Sequence, residues 1–146
     1  AVLGRTQDDA AGEAFDKSGN LIGLPYPGGA KLARLADAVS GSPYTLPKVF
    51  RGQEGFSFSG LKTAVARLVK DAGLLDDEKR AALAFTVQEA IVEALIVKLV
   101  RAVEETKLSR VVLTGGVSAN RRLRERAQSI AGVRVFAPTI AHCIDN

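Results

Sequence analysis

The 146-residue sequence contains no methionine, no tryptophan, one histidine and one cysteine. The single Cys143 excludes a disulfide framework within the chain and fits a reducing compartment, so we expect a cytoplasmic protein. One histidine and one cysteine also leave too few ligands for a transition-metal site built by this chain alone. The absence of methionine and the end at Asp145-Asn146 predict a piece of a longer protein.

Several functional patterns are missing as well. No apolar run approaches the roughly 18 residues of a membrane span. There is no P-loop and no Gly-x-Gly-x-x-Gly motif. His142 directly precedes Cys143, which is a poor geometry for a base and its nucleophile. The composition, 47% hydrophobic and 25% charged, is that of an ordinary globular domain, and the net charge of +4 is compatible with an anionic partner.

The apolar periodicity predicts a helix-rich α/β chain with three or four short strands. We expect helices after a capping box at Thr6 and Asp9, around Leu32, after a cap at Ser59, and over 76–106. The polar and glycine residues at 18–20 are expected to weaken or end the first helix, and the apolar residues Leu21, Ile22 and Leu24 leave open an extension by one turn. Strands are predicted at 1–4, 56–58, 111–113 and 133–137, and the segment 40–55 is expected to be mostly irregular.

The stretch Arg-Val-Val-Leu-Thr-Gly-Gly-Val-Ser-Ala-Asn, residues 110–120, predicts a buried strand, a glycine turn and a helix capped by Ser118 or Asn120. Gly115 and Gly116 have no Cβ, so their backbone can approach a ligand closely, and the following helix start suits an anion. A tight turn without a ligand is the simpler interpretation. The polar side chains of Thr114, Ser118 and Asn120, expected to face one crevice, favour a site.

Two charged clusters each allow two interpretations. In the acidic cluster at the start of the first helix, Asp8 and Asp9 are explained by their favourable interaction with the helix dipole. Asp16 lies beyond the first turn, so the dipole explains it less well. The Asp16 carboxylate, with Glu13 three residues away on the same helix face, can accept hydrogen bonds from ribose hydroxyls. The arginines that follow the glycine turn form either a nucleic-acid contact or a solvated helix face, and the second is favoured. They are Arg121, Arg122, Arg124 and Arg126.

Five ordered motifs run from one end of the chain to the other. They are Asp8-Asp-Ala-Ala-Gly-Glu-Ala-Phe-Asp-Lys17, Tyr26-Pro-Gly-Gly29, Phe56-Ser-Phe-Ser-Gly-Leu-Lys-Thr63, Gly115-Gly-Val-Ser-Ala-Asn120 and Asp145-Asn146. With these motifs the chain resembles the tRNA adenosine threonylcarbamoyltransferases, most closely the bacterial members formerly named O-sialoglycoprotein endopeptidases. The resemblance implies an actin-like, sugar-kinase-like ATPase fold, of which this chain is most of the C-terminal lobe.

The resemblance implies transfer of a threonylcarbamoyl group from its adenylate to N6 of adenosine 37 in tRNAs reading ANN codons. It implies that Asp16, Gly29 and Asn120 line the pocket for this adenylate or an ATP-like nucleotide, and that Asp145 is one ligand of Fe²⁺ or Zn²⁺. It assigns no catalytic side chain to this chain. The implied partners are tRNA, a paralogous actin-like subunit and a P-loop ATPase subunit, with no membrane.

The chain departs from the family pattern, since the His-x-x-x-His metal pair and the Ser-Gly-Gly-His-Thr loop are absent. The piece alone is therefore expected to be inactive. Two rival functions stay open: an ATP-dependent phosphotransferase or ATPase of the same fold, and a piece that only docks partner subunits. The former protease name ranks lowest, because neither a nucleophile nor a complete zinc-protease motif is present.

Overall fold

The computed structural model describes residues 11–47 and 57–137. The described elements are α1 (Ala11–Leu21), α2 (Gly29–Asp37), α3 (Phe58–Ala72), α4 (Asp77–Thr106), β1 (Arg110–Val112), a 3-10 helix (Gly116–Ala119), α5 (Arg121–Gln128) and β2 (Arg134–Phe136). The chain divides into two compact units, Ala1–Ala94 and Leu95–Asn146, and the division falls within α4. The predicted helix-rich α/β character is confirmed.

In the first unit, α1 packs against both α2 and α3. Apolar side chains at helical spacing form the core, because each helix turns one stripe inward. Its fully buried large side chains are Ile22, Leu32, Leu61, Val65, Leu83, Val87, Ile91 and Val92. Polar contacts attach α4 to the other elements of this unit. The Arg80 Nε donates to the Ile22 carbonyl at 3.2 Å, and the Gln88 amide donates to the Asp37 carboxylate at 3.2 Å.

The first helix continues through Ser18 and Gly19 to Leu21, which is the extension that the sequence left open, and both residues are buried against the rest of the unit. Two local predictions around the start of α3 are wrong. The predicted strand at 56–58 is wrong for Phe58, which begins α3. The cap is Ser57 rather than Ser59, since the Ser57 hydroxyl accepts the Gly60 N–H at 3.1 Å.

In the second unit, β1 and β2 form a two-stranded parallel sheet, with Val111 opposite Val135. Parallel strands need a crossover rather than a tight hairpin, and here the 3-10 helix and α5 provide it. Leu123 and Ala127 of α5 are buried. The strands predicted at 111–113 and 133–137 are confirmed, and each predicted boundary lies within one residue of the observed one. Within 11–47 and 57–137, no helix combines the length and apolarity needed to cross a membrane.

Candidate functional site

Two of the predicted site residues, Asp16 and Gly29, are in direct contact. Asp16 lies on α1 and Gly29 is the first residue of α2, and the Gly29 N–H donates to the Asp16 Oδ1 at 2.9 Å. A Cβ on Gly29 would stand 2.6 Å from that oxygen and 3.1 Å from the Phe15 Cβ. Only glycine therefore allows the α2 backbone to come this close to the carboxylate.

The contact depends on a second close approach between the same helices. A Cβ on Gly19 of α1 would stand 2.8 Å from the carbonyl oxygen of Gly28. The Gly28 carbonyl in turn accepts the Leu32 N–H at 2.8 Å, which is an early hydrogen bond of α2. Gly19 and Gly28 thus bring the two backbones together and fix where α2 begins relative to Asp16.

The Asp16 carboxylate has a structural role in this arrangement. Gly28, at the N-cap position of α2, supplies no side-chain oxygen, so Asp16 accepts an N–H that the helix itself cannot satisfy. Among the described residues, only Gly29 bonds to this carboxylate, and Asp16 is half-buried. Its Oδ2 is therefore able to accept a hydrogen bond from a ligand hydroxyl while Oδ1 holds α2 in place.

The predicted strand, glycine turn and helix are present in the second unit. The strand is not buried as predicted, since Val111 is buried but Arg110 and Val112 are exposed. Gly115 has φ of +83°, which favours glycine, and it precedes the 3-10 helix. Gly116 is different, since it is not among the glycines with positive φ. No described atom lies within 4 Å of the position that a Cβ would take at either glycine. Internal packing in the described part of the chain therefore does not explain the second glycine.

The polar residues of this turn do not all face one crevice as expected. The Ser118 hydroxyl is buried and donates to the Gly115 carbonyl, and the Ser118 carbonyl accepts the Arg124 Nε–H. Ser118 is therefore bonded within its own loop and the start of α5, and the expectation that it faces a crevice is wrong. Thr114 is exposed.

Asn120 is the N-cap of α5. Its Oδ1 accepts the Leu123 N–H at 2.8 Å, so the predicted cap is confirmed. This bond uses the amide oxygen and does not decide whether the residue also contacts a nucleotide. Asn120 belongs to the second unit.

The arginines of α5 are held by contacts within the chain. Arg121 and Arg122 lie 3.7 and 3.8 Å from the Glu125 carboxylate. Arg124 reaches the Ser118 carbonyl. These contacts agree with the solvated helix face that the sequence favoured.

The predicted metal ligand, Asp145, lies outside the described residues, as do its neighbours His142 and Cys143. Across the described ranges, no group of three His, Cys, Asp or Glu side chains is close enough to hold a metal ion. The metal site and the role of Asp145 remain predictions from the resemblance.

The structure also forms a groove that the sequence did not indicate as a site. This α1–α3 groove has a volume of about 450 Å³ and is lined by Lys17, Asn20 and Leu21 of α1, Tyr26 of the next loop, and Lys62 and Thr63 of α3. Three of the quoted motifs contribute to it. The motifs were the available signal, but only the packing of α1 on α3 brings them together.

Comparison with known proteins places the chain in one family. Residues 1–146 match the family model described as tRNA N6-adenosine threonylcarbamoyltransferase. Proteins of that name from Bordetella petrii, Verminephrobacter eiseniae and Variovorax paradoxus are 54%, 48% and 49% identical to it. The alignments cover 100%, 100% and 99% of this chain but 44%, 44% and 43% of the relatives. The chain, which spans less than half the length of these relatives, belongs to the tRNA N6-adenosine threonylcarbamoyltransferase family.

Proposed function

We propose that the full-length protein transfers a threonylcarbamoyl group from threonylcarbamoyl-AMP to N6 of adenosine 37 in tRNAs reading ANN codons. In this proposal the chain carries part of the adenylate site, with Asp16, Gly29 and Asn120 as ligand contacts. The observation that supports it most is the bond between Asp16 and Gly29 at the start of α2. This bond holds a carboxylate beside a backbone without a side chain, which is an arrangement suited to a ribose.

Each proposed contact has a distinct physical task. The Asp16 Oδ2 accepts a hydrogen bond from a ribose hydroxyl. The bare backbone at Gly29 lets the nucleotide approach α2, where a methyl group would already collide with the carboxylate. The Asn120 amide hydrogen-bonds an edge of the base or the ribose while its oxygen continues to cap α5.

The reaction is an acyl transfer. The N6 amine of adenosine attacks the carbamoyl carbonyl carbon, a C–N bond forms, the C–O bond to the phosphate breaks, and AMP leaves as the amine loses a proton. The residues described here contribute by binding and orienting the AMP portion, so that the carbonyl faces the acceptor. Fixing two reactants in this way can supply about 7–11 kcal/mol of the barrier reduction.

The proposal includes a divalent metal, Fe²⁺ or Zn²⁺, with Asp145 as one ligand. When bound, such an ion orients the threonylcarbamoyl group or polarises its carbonyl. The contacts assigned above to Asp16, Gly29 and Asn120 do not depend on that ion.

The wider proposal follows the family. It comprises an actin-like, sugar-kinase-like ATPase fold, a cytoplasmic location, and work with tRNA, a paralogous actin-like subunit and a P-loop ATPase subunit. The helix-rich α/β architecture and the family membership of this chain support it.

The test is an assay of the full-length protein, meaning the complete reading frame that encodes this chain, with its partner subunits. Chemically prepared threonylcarbamoyl-AMP and an unmodified tRNA are supplied, and modified adenosine is measured. In a parallel reaction the protein receives ATP without its partner subunits, and inorganic phosphate is measured. We expect modified adenosine at position 37 and release of AMP. Phosphate release from ATP without modified adenosine would favour the ATPase alternative. Binding of partner subunits without adenylate binding would favour the docking alternative.

A further inference from the structure

We propose that the α1–α3 groove binds the RNA acceptor, with its two lysines on a backbone phosphate and Tyr26 against an unpaired base. The inference rests on the proposed function, since it assumes an RNA substrate. It assigns a binding role to residues that the adenylate site does not use.

The charge of the groove suits a phosphodiester. Lys17 comes from α1 and Lys62 from α3, so two lysine residues from different helices line one groove. Both already have partners within the protein, and Lys17 lies 3.5 Å from the Glu13 carboxylate. That ion pair is solvent-exposed, with side chains 41% and 54% accessible, so it is weak and a phosphate can replace Glu13 at little cost.

The other lining residues suit a nucleotide rather than a bare anion. Tyr26 is 65% exposed, unusually open for a large aromatic side chain, and its ring offers a stacking surface that accepts any base. Asn20 and Thr63 add an amide and a hydroxyl for ribose or phosphate oxygens. The volume of about 450 Å³ lies within the roughly 300–1,000 Å³ of ligand sites.

The location of the groove suits an RNA acceptor bound beside the adenylate that donates the threonylcarbamoyl group. Lys17 follows Asp16 directly in α1, so the two side chains leave the helix about 100° apart. One helix thus presents the adenylate contact and the groove on neighbouring faces. An RNA strand in the groove would lie next to the donor without occupying its contacts.

The test measures binding of an anticodon stem-loop RNA to the full-length protein over a range of salt concentrations. Lys62→Gln removes one groove charge, and Lys70→Gln removes one exposed charge from the same helix outside the groove. Losing one phosphate contact should reduce the salt slope by about 0.7–0.9 and the affinity about five- to eightfold at 0.1 M salt. Lys70→Gln should bind within about twofold of wild type.

Two conservative variants separate the proposed contacts from general damage to the fold. Lys62→Arg keeps the charge and should restore both the affinity and the salt slope. Tyr26→Phe should bind like wild type, whereas Tyr26→Ala should lose at least about fivefold through lost stacking. Adenylate binding should be unchanged in all of these variants.

Equal RNA affinity in Lys62→Gln and Lys70→Gln would overturn the groove assignment. Weaker adenylate binding with intact RNA binding in Lys62→Gln would also overturn it and would assign the groove to the donor phosphate. The same holds if Lys62→Gln loses only the binding of an acidic protein partner. If the wild-type protein modifies the RNA and Lys62→Gln binds normally, only the groove fails. If Lys62 supports RNA binding but no modified adenosine forms, only the proposed activity fails.

Discussion

The backbone N–H of Gly29 donates to the carboxylate of Asp16 at 2.9 Å, across 13 residues of sequence. One residue of the pair lies within a helix and the other begins the next helix. The same carboxylate therefore fixes the start of α2 and is available to a ligand through its second oxygen. Substitutions that separate these two tasks test the site directly.

Asp16→Asn tests the ligand task. The amide oxygen can still accept the Gly29 N–H, so we expect stability within about 1 kcal/mol of wild type. The negative charge is lost, and adenylate affinity in the full-length protein should fall at least about tenfold, since charged hydrogen bonds contribute roughly 1.5–3 kcal/mol. Glu13→Gln on the same helix is the control, and its affinity should not change. Calorimetric titration decides, and a normal affinity in Asp16→Asn would confine this residue to its structural role.

Gly29→Ala tests the close approach. The new Cβ would meet the Asp16 oxygen at 2.6 Å, and relieving that collision should lower the free energy of unfolding by about 1–3 kcal/mol. Asp16→Ala alone should cost about 1–2 kcal/mol. Because the second change removes the colliding oxygen, the double variant should cost at least about 0.5 kcal/mol less than the sum. Strict additivity in urea denaturation would contradict the geometry. Gly41→Ala is the control, as no described atom lies within 4 Å of its Cβ position.

Gly19→Ala should reverse the usual rule for helices. Replacing a helical glycine with alanine normally stabilises by about 0.5–1 kcal/mol. Here the methyl group would stand 2.8 Å from the Gly28 carbonyl oxygen, and a backbone atom cannot rotate away. We expect a net loss of about 1–2 kcal/mol in thermal or urea unfolding. A variant as stable as wild type would show that α1 and α2 are not held this close.

Asn120 combines a cap with a proposed ligand contact. Asn120→Ala should lower stability by about 0.5–2 kcal/mol, because the Leu123 N–H loses its acceptor. Asn120→Ser should restore that stability, since serine caps comparably well. If the amide also binds the adenylate, both variants should bind it several-fold more weakly, about 0.5–1.5 kcal/mol. Titration with a non-hydrolysable adenylate analogue measures this, and wild-type affinity in Asn120→Ser would reduce the residue to a cap.

Gly115 and Gly116 should respond differently to alanine. Gly115→Ala forces alanine to φ of +83° and ψ of −179°, a region essentially confined to glycine, and should cost about 1–3 kcal/mol of stability. Gly116→Ala has room for its methyl group, so stability should be unchanged or raised by up to about 1 kcal/mol. We expect Gly116→Ala nevertheless to lose at least about fivefold in adenylate affinity, about 1 kcal/mol. Unchanged affinity would favour the tight-turn interpretation of this glycine pair.

The sequence by itself determined the features that depend on local chemistry. Helical periodicity over 76–106 predicted α4 almost to its ends, and Asn120 was foreseen as a possible cap, because caps and periodic stripes act within a few residues. The ordered motifs also determined the family. The start of α3 was misplaced because local signals did not distinguish two nearby serines. Ser57 and Ser59 are both good capping residues, and sequence spacing alone did not decide between them.

The tertiary structure decided what depends on distant segments meeting. Gly19 stays helical because its backbone packs on Gly28, and this packing brings the Gly29 N–H to Asp16. The α1–α3 groove arises in the same way, since Lys17 and Lys62 become neighbours only when α1 packs on α3. Helix propensity and periodicity carry no information about which backbones touch, because such contacts are set by packing between elements that lie far apart in the chain.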